Sequence, residues 1–181
     1  MKGQIVKIVS NLYTVNCNGN IYECHSRGKF RNEKITPVVG DYVVIDEKNK
    51  YILEVENRKN RLIRPMVSNI DQGLIITSVK IPDFSSNLLD KLLCMIEYNN
   101  VKPIICFTKL DLLSEEELVS MEKIMEYYHS IGYQVFKNTE IDTIRSSFHD
   151  KVSVFTGQSG AGKSTLLNSI DSNLNIQTAE I

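Results

Sequence analysis

Residues 157–164 read Gly157-Gln158-Ser159-Gly160-Ala161-Gly162-Lys163-Ser164, and this stretch decides the fold of the chain around it. Its spacing, G-x-x-x-x-G-K-S, is that of a phosphate-binding P-loop. Residues 152–156 before it are typical of a buried strand, and residues 163–170 after it place apolar side chains at helical spacing. A strand, a tight glycine turn and a helix aim consecutive backbone N–H groups at one anion, so the stretch predicts a nucleotide site.

The residue types of the P-loop have separate expected roles. Lys163 is expected to reach the β- and γ-phosphates as a point charge. The Ser164 hydroxyl is expected to complete a Mg²⁺ shell, and Thr165 is counted with the nucleotide-binding residues. Glycines are needed because a Cβ atom would block the turn and keep the backbone away from the phosphate oxygens.

A second motif, Thr108-Lys109-Leu110-Asp111, ends a predicted buried strand at residues 103–108 and follows the [NT]-K-x-D pattern with which GTPases read guanine. Guanine presents N1–H and N2–H₂ side by side, and one ionised carboxylate, Asp111, can accept both. Adenine has neither donor there and would leave the carboxylate unpaired. We expect the Lys109 stem to pack on the base plane and Thr108 to tie this loop to the P-loop.

The order of the two motifs is unusual, because an ordinary GTPase has its P-loop first. Here Thr108 precedes Gly157 by 49 residues. A sheet permits this order if the original termini are joined and new ones opened elsewhere, since the strands can still assemble side by side. The combination predicts a circularly permuted GTPase domain.

The chain is predicted to form an N-terminal all-β OB-fold barrel at residues 1–65 and a partial, circularly permuted α/β GTPase domain at residues 66–181. Five short runs rich in Val, Ile and Tyr, separated by turn residues, suit a five-stranded barrel. They cover residues 4–9, 12–16, 20–24, 41–46 and 51–55. The polar, basic segment at residues 57–65 is predicted to be the linker between the domains.

Strand and helix patterns alternate after the linker, which predicts a parallel, doubly wound sheet with ligands at the carboxyl ends of its strands. The predicted strands cover residues 73–79, 103–108, 134–136 and 152–156, and the predicted helices cover residues 85–98, 114–131 and 163–170. Leu, Ile and Met residues form one stripe on each of the first two helices, and these stripes are predicted to be core.

Charge is distributed unevenly between the two predicted domains. Residues 1–65 contain 12 Lys and Arg against 7 Asp and Glu, whereas the remainder contains 9 against 15. A basic first domain is expected to face a polyanion. The loop His25-Ser26-Arg27-Gly28-Lys29-Phe30-Arg31 combines three cations with an aromatic ring, the composition with which barrel loops hold nucleic acid. A plain solvated loop is the alternative.

These motifs together resemble the ribosome small-subunit-dependent GTPases, the RsgA/YjeQ family. The nucleotide motifs in permuted order, with Thr165-Leu166-Leu167-Asn168 after the P-loop, are the most specific part of the resemblance. Three further stretches resemble the OB-domain signatures and the start of the GTPase domain of that family: Arg27-Gly28-Lys29-Phe30-Arg31, Pro37-Val38-Val39-Gly40-Asp41 and Asn69-Ile70-Asp71-Gln72.

The resemblance implies a GTPase that acts late in maturation of the small ribosomal subunit. By this resemblance the OB-fold binds ribosomal RNA and ribosome binding stimulates hydrolysis. The implied ligands are GTP or GDP with Mg²⁺, and the implied setting is a cytoplasmic monomer that uses no membrane. Zinc is expected only in a C-terminal domain that these 181 residues do not contain.

The sequence departs from the family pattern in three places. Thr108 stands where Asn is usual, and its hydroxyl can replace one hydrogen bond. Asn138-Thr139 stands where the family has Ser-Ala beside guanine. The chain stops at Ile181, before the switch-I threonine and the Asp-x-x-Gly strand, so no catalytic residue is identified. We therefore expect a truncated form of a longer GTPase that binds guanine nucleotide weakly and hydrolyses it poorly.

Two other functions remain open from the residues alone. One is a non-catalytic RNA-binding module with a vestigial nucleotide site. The other is an ATP-using P-loop enzyme in which Thr108-Lys109-Leu110-Asp111 is a coincidence.

Overall fold

The computed structural model describes residues 1–28, residue 30 and residues 35–174. The chain divides into two compact units, Met1–Ile70 and Asp71–Ile181. Lys29 and Arg31, two cations of the predicted nucleic-acid loop, lie outside the described residues. Within the described part, no helix combines the length and the apolar character needed to cross a membrane.

The first unit contains a closed five-stranded barrel in the order β1-β2-β3-β5-β4. Its strands are β1 (Lys2–Val9), β2 (Leu12–Cys17), β3 (Asn20–Ser26), β4 (Tyr42–Asp46) and β5 (Tyr51–Val55). The ladder β3–β5 is parallel and the other four are antiparallel. Side chains alternate between the two faces of a strand, and every second residue of β2 is buried in the core: Tyr13, Val15 and Cys17. The predicted five-stranded barrel is confirmed.

A buried carboxylate, Asp41, organises the end of the barrel unit. Its oxygens accept hydrogen bonds from the backbone N–H of Val38 at 2.8 Å and from the Ser68 hydroxyl at 2.6 Å. The Arg58 guanidinium donates twice, at 2.7 and 2.8 Å. The Asp41 side chain is fully buried and that of Arg58 is 19% exposed. This charge pair is therefore largely enclosed, and each Asp41 oxygen accepts hydrogen bonds from two donors, unlike the oxygens of a typical surface ion pair.

The prediction that residues 57–65 form a linker is wrong, because this segment packs as part of the first unit. Strand β6 (Arg61–Leu62) pairs with strand β7 (Val67–Ser68), and the Leu62 side chain is fully buried. The Asn60 side chain also exchanges hydrogen bonds with both backbone groups of Ile70. The two units accordingly divide after Ile70, five residues later than the predicted domain boundary.

The second unit contains a parallel four-stranded sheet in the order β10-β9-β8-β11. Its elements, in chain order, are β8 (Gln72–Ser78), α1 (Ser86–Tyr98), β9 (Lys102–Thr108), α2 (Glu115–Ser130), β10 (Gln134–Lys137), α3 (Ile141–Ser147), β11 (Ser153–Gly157) and α4 (Lys163–Ile170). The predicted parallel α/β architecture is confirmed, and the short helix α3 was absent from the prediction.

The central strands β8 and β9 form the floor of the site. Leu74, Ile75 and Ile76 of β8 are fully buried, as expected for a strand covered on both faces. The next strand along the chain, β9, buries the run from Ile104 to Phe107 in the same way. All four strands run in one direction, so the residues that follow β8, β9 and β11 meet at one edge of the sheet.

Candidate functional site

The P-loop follows β11 and turns into α4 through three glycines with positive φ. The φ angles of Gly157, Gly160 and Gly162 are 143°, 76° and 85°. A Cβ atom built on Gly157 would lie 2.1 Å from the carbonyl oxygen of Ile76 in β8. Only glycine fits there, because both the backbone angle and the adjacent strand exclude a side chain.

Helix α4 begins without a side-chain cap, in contrast to the two preceding long helices. Ser85 caps α1, and Ser114 forms a capping box with Glu117 at the start of α2. The residue at the same position of α4 is Gly162, which has no side chain to accept a hydrogen bond. The first-turn N–H groups of α4 are therefore left for an external acceptor, as in a phosphate-binding helix start.

Lys163 folds over the P-loop. Its ammonium donates to the carbonyl oxygens of Gly157 at 3.0 Å and Gln158 at 2.7 Å. Partial burial lowers the pKa of Lys163, because the ammonium loses part of its hydration. The ammonium is therefore held within the glycine loop by neutral carbonyl oxygens. A phosphate bound there would supply the negative charge that these oxygens do not.

Thr108 joins the base-reading motif to the P-loop. Its buried hydroxyl donates to the carbonyl oxygen of Ala161 at 2.7 Å. This bond is the tie that the sequence predicts between the two motifs, and the Thr108 hydroxyl makes it. Lys109 has a positive φ of 62°, and its ammonium donates to the carbonyl oxygen of Ile81. The two motifs, 49 residues apart in the chain, are therefore neighbours.

A cleft of about 200 Å³ lies between the base-reading motif and α4. Asp111 is exposed at this cleft, where its carboxylate is accessible to a ligand. Asn138 also lines the cleft, whereas Thr139 does not. The lining residues are Thr108, Lys109, Asp111, Asn138, Gly162, Thr165, Leu166 and Ser169.

The remaining predicted residues take different places around the loop. Gln158 and Ser159 are exposed, Ala161 is fully buried, and Leu110 begins a short 3₁₀ turn, Leu110–Leu112. Ser164 is half-buried in the first turn of α4. Among the described residues, no group of three or more His, Cys, Asp or Glu could hold a metal ion.

Two cleft residues, Leu166 and Ser169, were not predicted from the sequence. Ser169 follows Thr165 by four residues, so the two share one face of α4. Helical spacing from a known P-loop residue was therefore a signal that could have found it. The segment at residues 79–84, which receives the Lys109 ammonium, has no comparable signal because its contacts are made by backbone carbonyl groups.

The barrel unit has a larger groove of about 510 Å³ near the predicted nucleic-acid loop. His25, Arg27 and Phe30 of that loop line the groove, together with Asn11, Tyr13, Ser26, Gly28, Ile35, Thr36 and Pro37. The Arg27 guanidinium lies 5.8 Å from the centre of the Tyr51 ring, within cation–π distance. A cation beside aromatic rings is suited to contact with phosphates and stacked bases.

Comparison with known proteins gives a consistent result across the chain. The family model described as RsgA GTPase matches residues 55–181, and the model described as RsgA N-terminal domain matches residues 2–52. Small ribosomal subunit biogenesis GTPase RsgA of Latilactobacillus sakei is 45% identical, covering 99% of this chain and 63% of the relative. A Listeria monocytogenes relative, RsgA 1, is 46% identical, with coverage of 100% and 64%.

Solved structures agree with the sequence relatives. The crystal structure of YjeQ from Thermotoga maritima matches with a TM-score of 0.83 and 34% identity, covering 98% of this chain and 67% of that one. The structure of YloQ, described as a circularly permuted GTPase, matches with a TM-score of 0.78 and 39% identity, covering 95% and 64%. The chain spans slightly less than two thirds of the curated relatives named above. This chain belongs to the RsgA GTPase family.

Proposed function

We propose that this protein binds guanine nucleotide and acts as a GTPase in biogenesis of the small ribosomal subunit. The observation that carries the proposal is the 2.7 Å hydrogen bond from Thr108 to Ala161, because it joins a guanine-reading motif to a P-loop. Residues of both motifs line one cleft, among them Asp111 of the base-reading motif and Gly162 of the P-loop. The relatives named above, which are small ribosomal subunit biogenesis GTPases, support the same activity.

The phosphates would bind at the start of α4. The uncapped first turn supplies N–H donors, and Lys163 supplies a cation that already lies on the glycine loop. The Lys163 ammonium is bound there only to neutral carbonyl oxygens. A phosphate oxygen is a charged and therefore stronger acceptor, and the lysine side chain would need to move little to reach it. The loop therefore positions the phosphates by preformed dipoles and one charge.

The residues present fit a Mg²⁺ ion bound together with the nucleotide. Mg²⁺ at nucleotide sites keeps several water ligands and binds phosphate oxygens of the nucleotide, and in P-loop proteins the Ser or Thr after the lysine supplies one hydroxyl. Ser164 provides one hydroxyl in the first turn of α4, next to Lys163. When bound, the ion would neutralise charge on the phosphates, while Ser164 would orient it.

Guanine would be read by Asp111 at the exposed side of the cleft. An ionised carboxylate accepts the N1–H and N2–H₂ donors of guanine as a pair, and adenine cannot supply them. The Lys109 stem lines the same cleft and would cover one face of the base. Asn138, which also lines the cleft, is available for a further polar contact with the purine.

The barrel unit would contact ribosomal RNA. The groove beside Arg27 and Tyr51 offers a cation and an aromatic face, and the first 65 residues have an excess of basic side chains. Such contacts depend strongly on salt, because phosphate neutralisation releases counterions. We place the protein in the cytoplasm, where ribosomal subunits are matured.

Replacing Asp111 by Asn tests the assignment of the guanine reader. The amide can donate a hydrogen bond to the C2 carbonyl of xanthine but no longer accepts two donors from guanine. We expect the affinity for GDP to fall by about 10²-fold or more, and that for xanthosine diphosphate to rise. Isothermal titration calorimetry of the unaltered chain and the Asp111→Asn variant, each with GDP and with xanthosine diphosphate, measures these affinities. Unchanged GDP affinity in the variant would contradict the proposal.

A further inference from the structure

A loop at residues 79–84 joins β8 to α1 and lies against the base-reading motif. Its first residue, Val79, donates its backbone N–H to the carbonyl oxygen of Thr108 at 3.1 Å. Its last residue, Phe84, places its ring 5.7 Å from the ring of Phe107 in β9. The loop is therefore fixed at both ends to the strand that presents Lys109 and Asp111.

Ser78 fixes the middle of this loop. Its side chain is buried at the end of β8, beside Thr108 in the neighbouring strand. The hydroxyl lies 2.7 Å from the carbonyl oxygen of Lys80 and 2.9 Å from that of Pro82, and donates toward both. These two carbonyl groups flank Ile81 in the chain. One hydroxyl thus constrains the backbone on either side of a single residue.

Ile81 has a conformation that its own side chain does not explain. Its φ is +49°, a region that β-branched residues rarely adopt, and its side chain is 55% exposed. The residue gains little from burial in return for this conformation. In this conformation the Ile81 carbonyl oxygen accepts a hydrogen bond from the Lys109 ammonium. A strained residue held by its neighbours is a feature of sites where geometry serves function.

A second tether holds the same loop from the side of α2. The Lys80 ammonium lies 3.0 and 2.9 Å from the two carboxylate oxygens of Glu117. Glu117 is itself part of the capping box that begins α2. Lys80, the residue before Ile81, is therefore held twice: Ser78 binds its backbone carbonyl group and Glu117 binds its side chain.

We infer that Ser78 is a positioning residue for nucleotide binding: through the loop at residues 79–84 it holds the Ile81 carbonyl as an anchor for the Lys109 ammonium. With its ammonium anchored, the Lys109 stem lies along the wall of the base cleft instead of sampling solvent. This preorganisation reduces the loss of side-chain entropy when a base binds. The inference rests on the proposed guanine-nucleotide function.

Loss of the Lys109 anchor, by a change at Ser78, and loss of the Asp111 carboxylate should alter nucleotide binding in different ways. The Lys109 stem would contact the face of a purine, so its loss should weaken GDP and inosine diphosphate equally. Asp111 reads the purine edge, where inosine diphosphate lacks the 2-amino group, so its loss should change the ratio of the two affinities. Inorganic pyrophosphate uses only the P-loop and should not respond to Ser78.

The test is calorimetric titration of the whole chain and its Ser78→Ala variant with GDP, inosine diphosphate and pyrophosphate. We expect about fivefold weaker binding of both nucleotides, the change that one ordinary hydrogen bond represents, and unchanged binding of pyrophosphate. Ser120→Ala is the matched control, because its hydroxyl donates only to the Glu116 carbonyl oxygen within α2 at 3.0 Å. This control should bind all three ligands as the unaltered chain does.

A second variant, Lys109→Met, keeps the stem and removes the ammonium, and so tests the anchor even if Ser78→Ala does not fold. It should show the same equal loss for the two nucleotides. In the double variant, Ser78→Ala should add nothing to Lys109→Met, since both remove one interaction. Full additivity, an equal loss of pyrophosphate binding, or unaltered GDP binding by Lys109→Met would overturn the inference. Failure of the unaltered chain to bind GDP would overturn the proposed function and the inference with it.

Discussion

Two glycines, one in each unit, face the same steric restriction in different settings. Gly40 in the barrel unit and Gly157 in the α/β unit both have positive φ, 95° and 143°. A Cβ atom on either would lie 2.1 Å from a backbone carbonyl oxygen, that of Ser68 or of Ile76. The backbone is equally crowded at both places, so crowding alone does not indicate a ligand site.

The polar groups around the two glycines differ. Beside Gly40, the Asp41 carboxylate is enclosed by donors from within its own unit, including the bidentate Arg58. Beside Gly157, the helix starts at Gly162 without a side-chain cap, and Lys163 is bound only to carbonyl oxygens. A polar cluster that satisfies itself stabilises the fold, whereas one that leaves donors free is suited to bind an anion.

Removing the carboxylate of Asp41 should have the largest effect on stability. In Asp41→Ala the enclosed Arg58 guanidinium loses its partner, and breaking a buried pair in this way costs about 3–5 kcal/mol. Urea denaturation followed by circular dichroism measures the free energy of unfolding of the barrel unit. Asp142→Ala is the control, because that carboxylate is 95% exposed and its pairing with Arg145 contributes little. A loss below about 1 kcal/mol in Asp41→Ala would mean that the cluster is not a structural centre.

Replacing either of the two crowded glycines by alanine should destabilise the fold, but only the replacement of Gly157 should also prevent nucleotide binding. Gly40→Ala and Gly157→Ala each force a Cβ atom against a carbonyl oxygen, at a cost of about 2–4 kcal/mol from overpacking and backbone strain. Only Gly157→Ala should also abolish GDP binding, because the P-loop must distort to relieve the clash. Thermal unfolding and GDP titration of both variants measure the two effects.

Gly132→Ala is the matched control for backbone strain, since its φ is +103° and nothing lies within 4 Å of the added Cβ atom. It should lose about 1 kcal/mol and keep its GDP affinity. If folded Gly40→Ala loses GDP binding as completely as Gly157→Ala, the contrast between the two glycines is wrong.

The smallest expected effect concerns the rates at which the four cysteine thiols react with a thiol reagent. It involves no variant and no change in the free energy of unfolding. Cys94 is exposed, whereas Cys17, Cys24 and Cys106 are buried. Burial raises the pKa of Cys106 to about 12, so its thiol is protonated and unreactive near neutral pH. A thiol reagent at pH 8 should therefore modify Cys94 rapidly in the folded chain, and all four cysteines after unfolding. Rapid modification of Cys106 in the folded chain would show that the sheet of the second unit opens readily.

The sequence predicted the elements whose apolar pattern is strong. The five barrel strands and the four parallel strands follow from runs of Val, Ile and Leu, and the glycine spacing located the P-loop. Helix α3 was missed because it is short, Ile141–Ser147, and among its residues only Ile144 is buried. A single buried side chain leaves no periodic stripe to recognise.

The errors elsewhere arise from interactions between distant residues. Residues 57–65 look like a linker because they are polar and basic, yet the charge of Arg58 is neutralised by Asp41, 17 residues earlier. The Thr108 tie was predictable because a motif specifies it. The anchoring of Lys109 was not, since its acceptor is a backbone carbonyl oxygen of Ile81, which every residue type possesses.

The most direct test of the nucleotide site is a titration of this chain with a fluorescent GDP analogue, competed separately by GTP and by ATP. Asp111 and the P-loop predict that GTP displaces the analogue, whereas ATP, which lacks the paired donors, does so only at about 10²-fold or higher concentration. Equal displacement by ATP would contradict the reading of guanine by Asp111. Absence of binding would contradict the claim that these two motifs form a nucleotide site in this chain.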